Sequence, residues 1–432
     1  MIDHLENTDF LDCINTDLSK IHSTKQNLKW SLDPTSILRA TAPMKVAISS
    51  ANNSDRHGAA KLEGSRVLNM CVDLVWGSEE YPRPTIEATI QLVQESIPSI
   101  TFNGYNDMSG KFEEHVFSFT EETMSLASLS SEDTEDPFRF YKYVLHFSGI
   151  VQDVQDTKQS WRELMEFTLG RGLLITLKNS GPSRSGFSSS SAVMTTLLSL
   201  LYKATNQVKE LKHVYDLALL AENRLGLRSG WNDTYCLLPG GIHDFYTQPC
   251  PGIPTPKLTK TNFGTINLES RLWLVHTGVQ RKATNRMNRR HEVYLSKDEA
   301  LYPYIVESLA LHEHMSCAMH QERYEALGKY MTRYMDCRIA FDPEATNPQL
   351  TFLFKEWIDK GLIYGGLLAG AMGGGIAQVI VSDYGLQVEN GKTRMEAAIE
   401  DMKLACDSFN NKLYRRIKFG VNVEGVKINV QV

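Results

Sequence analysis

The sequence predicts an α+β protein in two halves. Three observations lead there: strand-like and helix-like runs are mixed along the whole chain, a Pro-rich stretch from Gln248 to Lys257 separates two such sets, and 432 residues exceed what one core usually spans. No internal repeat is evident.

Residues 1 to 38 read as a polar, partly helical extension, and ATAPMKVAISS then alternates as a strand before the turn-forming segment Ala51 to Gly58. A second strand is expected at Ser65 to Leu74. Residues 85 to 120 hold short β-like runs, TIEATIQLV being the clearest, and 121 to 136 form a Ser, Thr and acid-rich loop. Helical spacing continues to about residue 165, and GLLITLKNS is a β-branched and leucine-rich strand. That strand feeds a Gly and Ser loop opening into the helix SAVMTTLLSLLYKAT, followed by a helix over Leu211 to Leu225 and the β-like GGIHDFYTQ. In the second half LWLVHTG is a strand, 285 to 335 are long helices, and AQVIVSD and GVNVEGVKI are further strands.

The formal charge of −6 gives no electrostatic reason to expect nucleic acid, and no stretch of about 18 apolar residues offers a membrane span. The start of the chain is acidic and polar, unlike a secretory or transit peptide, and the seven scattered cysteines include no CxxC pair. Together these point to reduced thiols in the cytoplasm.

In SGPSRSGFSSSSAV, Ser185, Gly186 and the serines Ser188, Ser189, Ser190 and Ser191 stand between a strand and an apolar helix. A helix start offers free N–H groups and partial positive charge to an anion, small residues allow close approach, and a serine hydroxyl can ligate magnesium. The plainer alternative is a serine loop with one residue as N-cap. Glu222 lies in the helix LALLAENRLGL, with Asp233 eleven residues on in RSGWNDTYC. Phosphoryl transfer needs one carboxylate for the metal and another at the attacking hydroxyl, and two acids flanking a helix end can converge. Otherwise Glu222 is a solvated helix residue and Asp233 a turn cap.

These residues resemble the GHMP kinases. Pro182, Gly186, Phe187, Ser189 and Ser190 occupy places of that family's phosphate loop, and the other motifs follow in order over roughly residues 40 to 430. The resemblance implies ATP and Mg2+, with Ser190, or its neighbour Ser189, and Glu222 as metal ligands and Asp233 beside the substrate hydroxyl. APMKV resembles the first motif and implies that Lys45 supports Asp233, where an ammonium would keep the aspartate ionised. SGWNDTY, FDPEATNPQL and LWLVHTGVQRKATN resemble the kinases of L-fucose and of D-glycero-D-manno-heptose 7-phosphate. Asp55 corresponds to their sugar-contacting aspartate, although Ala51, Asn52 and Asn53 replace the glycines and tryptophan.

GGLLAGAMGGGIAQVIV resembles the third motif, which implies that Gly373 and Gly374 help shape the substrate site; Met372 and Leu367 depart from the pattern. The implied fold is an N-terminal domain like ribosomal protein S5 domain 2 over 39–262 and a ferredoxin-like domain over 263–432. The implied activity is phosphorylation of a sugar hydroxyl, the anomeric one of L-fucose or a related sugar. A heptose 7-phosphate kinase and a nucleotide- or sugar-binding pseudokinase remain open, as does a monomer or homodimer.

Overall fold

The computed structural model describes residues 28–49, 64–75, 80–106, 113–122, 139–151, 157–182, 186–207, 211–225, 230–237, 239–249, 257–263, 267–279, 293, 296–370, 372–406 and 415–431. Asp55 and Ser185 lie outside them, as do most of the acid-rich loop and of the Pro-rich run. So do residues 1–27 of the expected extension. Its remainder joins the core: Trp30 is buried against Phe167, ring centroids 5.9 Å apart.

The expected first strand is two. β1 (Ile37–Ala42) alternates, with Leu38, Ala40 and Ala42 turned inward, and β2 (Met44–Ser49) begins after Pro43, which has no N–H for a ladder. β3 (Ser65–Leu74), β4 (Ile86–Val93), β5 (Ile100–Asn106) and β6 (Glu113–Phe119) follow, then α1 (Arg139–Phe147), α2 (Thr157–Phe167) and β7 (Gly172–Asn179). Next come α3 (Ser189–Ala204), α4 (Leu211–Arg224), the short α5 (Trp231–Tyr235), β8 (Ile242–Thr247) and β9 (Lys257–Asn262). The second half holds β10 (Leu272–His276), α6 (Tyr302–His320), α7 (Tyr324–Phe341), α8 (Pro348–Asp359), β11 (Ile363–Leu368) and β12 (Ile376–Val381). The hairpin β13 (Val388–Glu389) and β14 (Lys392–Thr393) leads to α9 (Arg394–Cys406), β15 (Arg415–Ile417), β16 (Phe419–Val421) and β17 (Lys427–Gln431).

Three main sheets result among the described residues. The first runs β17-β1-β4-β7-β5-β6, antiparallel apart from the β5–β7 pair, and α3 packs on β1 and β4. The second runs β16-β3-β8-β9, with β2 also paired to β3. The third runs β11-β12-β10-β15, and its chain order of strand, helices, two strands, helix and strand is the ferredoxin-like arrangement.

GVNVEGVKI, expected as one strand, is split between β16 and β17 in different sheets. Asn422 makes the break: its Oδ1 accepts from the backbone N–H groups of Glu424 (3.1 Å) and Gly425 (2.8 Å), the side-chain-to-backbone bonding that initiates a turn. The division at 262/263 places these strands with the second half, whereas their hydrogen bonds lie in sheets of the first.

Gly365 lets α7 settle on β11, and Gly366 lets β11 lie close against β12. A Cβ on Gly365 would lie 2.1 Å from the Gly328 carbonyl oxygen, and one on Gly366 would lie 2.2 Å from that of Gln378. The Gly365–Gly366 pair is therefore explained by packing. Gly365 also has φ +150, so Gly365→Ala is expected to cost about 2 kcal/mol or more from overpacking and backbone strain. Chemical denaturation measures it, and an unchanged midpoint with unchanged slope would refute the packing account. No described helix is long and apolar enough to cross a membrane.

Candidate functional site

Asp233 is the meeting point. It lies on α5, whose first residue Trp231 is fully buried and donates from Nε1 to Ser65 Oγ at 2.8 Å. The indole fixes the turn in the core and leaves Asp233 at the half-open edge, its side chain 23 % exposed. Lys45 Nζ lies 2.6 Å from Asp233 Oδ1, and Ser188 Oγ donates to the same oxygen at 2.6 Å. Both are within the range of charge-assisted hydrogen bonds, so the carboxylate is held from two sides.

Each partner is placed by its own element. Lys45 sits near the start of β2, buried, and its backbone N–H donates to the Phe187 carbonyl at 3.1 Å, joining the strand to the serine loop. Phe187 is itself buried between Gly186 (φ +97) and Ser188 (φ +55). Ser188 precedes α3 in a left-handed conformation and makes no side-chain capping bond, because its hydroxyl is turned to Asp233. The first amides of α3 are thus not taken up by a capping side chain, and Ser189 and Ser190 stand half-buried at that end. This is a cradle suited to phosphate oxygens.

Glu222, on α4, is completely buried and accepts from Ser191 Oγ at 2.6 Å. The residue brought to Glu222 is therefore Ser191 and not Ser190. Helix geometry explains the register: Ser191, Thr195 and Ser199 recur every fourth residue along one side of α3, the side that the Ser191–Glu222 bond turns to α4. Ser190 is one position, roughly 100°, away from that side.

A carboxylate and a hydroxyl are hard oxygen donors of the kind magnesium takes. Among the described residues no group of three or more His, Cys, Asp or Glu side chains could form a metal cage. Magnesium characteristically uses one or two carboxylates together with substrate phosphates, so Glu222 and Ser191 beside a phosphate cradle fit it.

Two thiols border the site. Cys71 stands opposite Lys45 in the β2–β3 register, and its Sγ donates to the Cys236 carbonyl at 3.0 Å. Burial pushes the Cys71 thiol up to about 12 against the opposing pull of Lys45, and burial likewise raises Cys236 well above the usual thiol range. Both stay neutral and leave the Lys45 charge to Asp233.

The contacts of Gly373 and Gly374 lie in the second half. Gly373 N–H donates to the Ala345 carbonyl at 2.6 Å, and a Cβ on Gly374 (φ +147) would meet the Val279 carbonyl oxygen at 2.6 Å. Arg338, buried on α7, donates from Nη1 to the Gly370 carbonyl at 3.1 Å and fixes the start of this loop. Met372, standing where the resembled motif has glycine, takes φ +64 with a fully buried side chain. Sequence reasoning missed Arg338, which lies just beyond the helical stretch expected over 285 to 335. It also assigned Ser188 to phosphate alone, because no local pattern announces its bond to Asp233.

The GHMP kinases N terminal domain matches residues 155–241, the segment that holds the serine loop, Glu222 and Asp233. A bifunctional fucokinase/GDP-fucose pyrophosphorylase of Arabidopsis thaliana is 27% identical over 256 residues, covering 58% of this chain and 23% of that protein. The chain thus spans under a quarter of that relative's length. Among solved structures, Lactococcus lactis galactokinase complexed with galactose superposes with TM-score 0.60 at 12% identity, over 96% of this chain and 99% of that one. A D-glycero-D-manno-heptose 1-phosphate kinase from Bacteriodes thetaiotaomicron gives TM-score 0.55 at 14% identity, over 91% and 99%. The chain thus shares its fold with these kinases along nearly its whole length, and the segment that holds the serine loop, Glu222 and Asp233 is the one that matches the GHMP kinases N terminal domain.

Proposed function

We propose that this protein transfers the γ-phosphoryl group of ATP to a sugar hydroxyl, the anomeric hydroxyl of L-fucose or a close relative. The observation that carries the reading is the convergence on Asp233 Oδ1 of Lys45 Nζ and Ser188 Oγ, beside a helix start that offers its amides and next to the Ser191–Glu222 pair. Asp233 would orient the attacking hydroxyl and take its proton as the new O–P bond forms and the bond to ADP breaks. Lys45 holds the aspartate through their 2.6 Å ion pair and offsets negative charge gathering on the transferring group. The first amides of α3 hold phosphate oxygens, while Glu222 and Ser191 supply metal ligands. Bound magnesium would neutralise charge on the phosphates. Positioning and charge neutralisation account for most catalysis of this kind, so a small set of groups suffices.

Fucose as acceptor is supported by the name of the Arabidopsis relative and by the SGWNDTY segment around Asp233. The test is phosphorus NMR of the protein with Mg2+ and ATP against L-fucose, D-galactose, mevalonate and D-glycero-D-manno-heptose 7-phosphate. Appearance of L-fucose 1-phosphate is the expected result. A product from the heptose phosphate alone would reassign the acceptor, and ATP binding with no product from any of them would favour a non-catalytic nucleotide-binding role.

A further inference from the structure

We infer that Ser49, His312 and Asp244 form a buried clamp through which the C-terminal half sets the position of Lys45, making Ser49 and His312 positioning residues for the reaction proposed above, on whose reading this inference rests. His312, on α6, places Nδ1 3.1 Å from Ser49 Oγ and Nε2 3.2 Å from Asp244 Oδ1. Ser316, one turn further along α6, donates to Asp244 Oδ2 at 3.2 Å. The chain therefore links β2, α6 and β8, which lie in different halves of the molecule.

Order of serine, histidine and aspartate suggests a hydrolytic triad, but burial rules this out. Ser49 is 1 % exposed, His312 0 % and Asp244 4 %, so no substrate reaches the hydroxyl. In the tautomer that carries its proton on Nε2, His312 donates to the Asp244 carboxylate and accepts from the Ser49 hydroxyl at Nδ1. The three side chains are bonded to one another and act as a fastener.

What it fastens follows from the strand. In an unbroken strand Ser49 and Lys45, four residues apart, would share a face. A bulge intervenes: Ala47 pairs with Asn69 and Ser49 with Leu68, leaving Ile48 as the extra residue. The shift turns Ser49 to the face opposite Lys45, toward α6, the re-aiming that bulges characteristically produce. A second bond reaches the same place, since Gln378 on β12 donates from Nε2 to the Ala47 carbonyl at 2.9 Å. Two buried side chains of the second half thus hold the bulge, while the other end of β2 is bonded to the serine loop through Lys45 N–H and Phe187. A loosened bulge would let β2 shift along β3, and the 2.6 Å contact of Lys45 with Asp233 would lengthen.

The experiment uses the full chain with Ser49→Ala, which removes one hydroxyl and leaves His312 and Asp244 bonded, and with Ser49→Thr, which restores the hydroxyl. With Mg2+, ATP and L-fucose, Ser49→Ala is expected to lower kcat about tenfold while KM for ATP stays within about twofold, and Ser49→Thr to recover most of the loss. In a Lys45→Met background the further loss from Ser49→Ala is expected to vanish, since a residue acting through Lys45 has nothing left to position. Exchange of the Lys45 and Val46 amides is expected to quicken about tenfold in Ser49→Ala, with β7 unchanged. Losses that multiply in the double variant, or unaltered kcat, would overturn the inference. Should the wild-type chain fail to phosphorylate L-fucose, the acceptor reading falls, and amide exchange decides the clamp alone: faster exchange in β2 upholds it and unchanged exchange refutes it.

Discussion

Asp233→Asn is expected to lower kcat about 1,000-fold while ATP affinity changes little. Asparagine has nearly the same shape and keeps an oxygen to accept from Lys45 and Ser188, whose bonds to Oδ1 are both 2.6 Å. What it lacks is the negative charge and the basicity to receive the hydroxyl proton. The phosphate cradle at the start of α3 is untouched, so binding of an ATP analogue, followed by calorimetry, should survive. Steady-state turnover on the productive sugar gives the rate, and a variant retaining more than about a tenth of wild-type kcat would remove Asp233 from proton transfer. Because the Lys45 side chain is only 4 % exposed, a melting curve must accompany the rate to show that the cation left beside a neutral amide has not loosened the fold.

The second large effect concerns the metal. Glu222→Gln is expected to weaken magnesium-dependent activity about 100-fold or more at fixed Mg2+, with partial recovery as Mg2+ is raised. A fully buried carboxylate that accepts from Ser191 is a hard oxygen donor for a cation, and its neutral isostere keeps the shape without the charge. The serines provide the internal comparison. Ser191→Ala should follow Glu222→Gln at about a tenth of its normal activity, whereas Ser190→Ala should stay within about twofold of wild type. Titrations of Mg2+ for the three variants measure this, and a larger loss at Ser190 than at Ser191 would return the ligand assignment to the position the sequence suggested.

The bond between Ser191 and Glu222 illustrates what a sequence carries. The acid pair, the serine loop and the strand bearing Lys45 were legible, because charge, small residues and periodicity are local signals and their order along the chain matched the resembled family. Which of four consecutive serines turns inward was not, since it depends on how α3 rolls against α4, a long-range packing outcome. The same limit hid the Ser188 bond to Asp233 and the Ser49–His312–Asp244 cluster, whose members come from strands and a helix far apart in the chain. The split of GVNVEGVKI is a milder case: Asn422 and Gly425 are turn residues, but nothing local says that the two pieces enter different sheets.

The pairing of β17 with β1, from Ile37 opposite Gln431 to Thr41 opposite Lys427, has a consequence for biosynthesis. As the polypeptide emerges from the ribosome, one side of β1 stays open until Lys427–Gln431 have been made, and for all that time its amides and carbonyls can recruit a stray strand from a neighbouring nascent chain. A chain that stops before Lys427 would keep that edge open, so the closing strand guards β1 against stray pairing as well as completing the sheet.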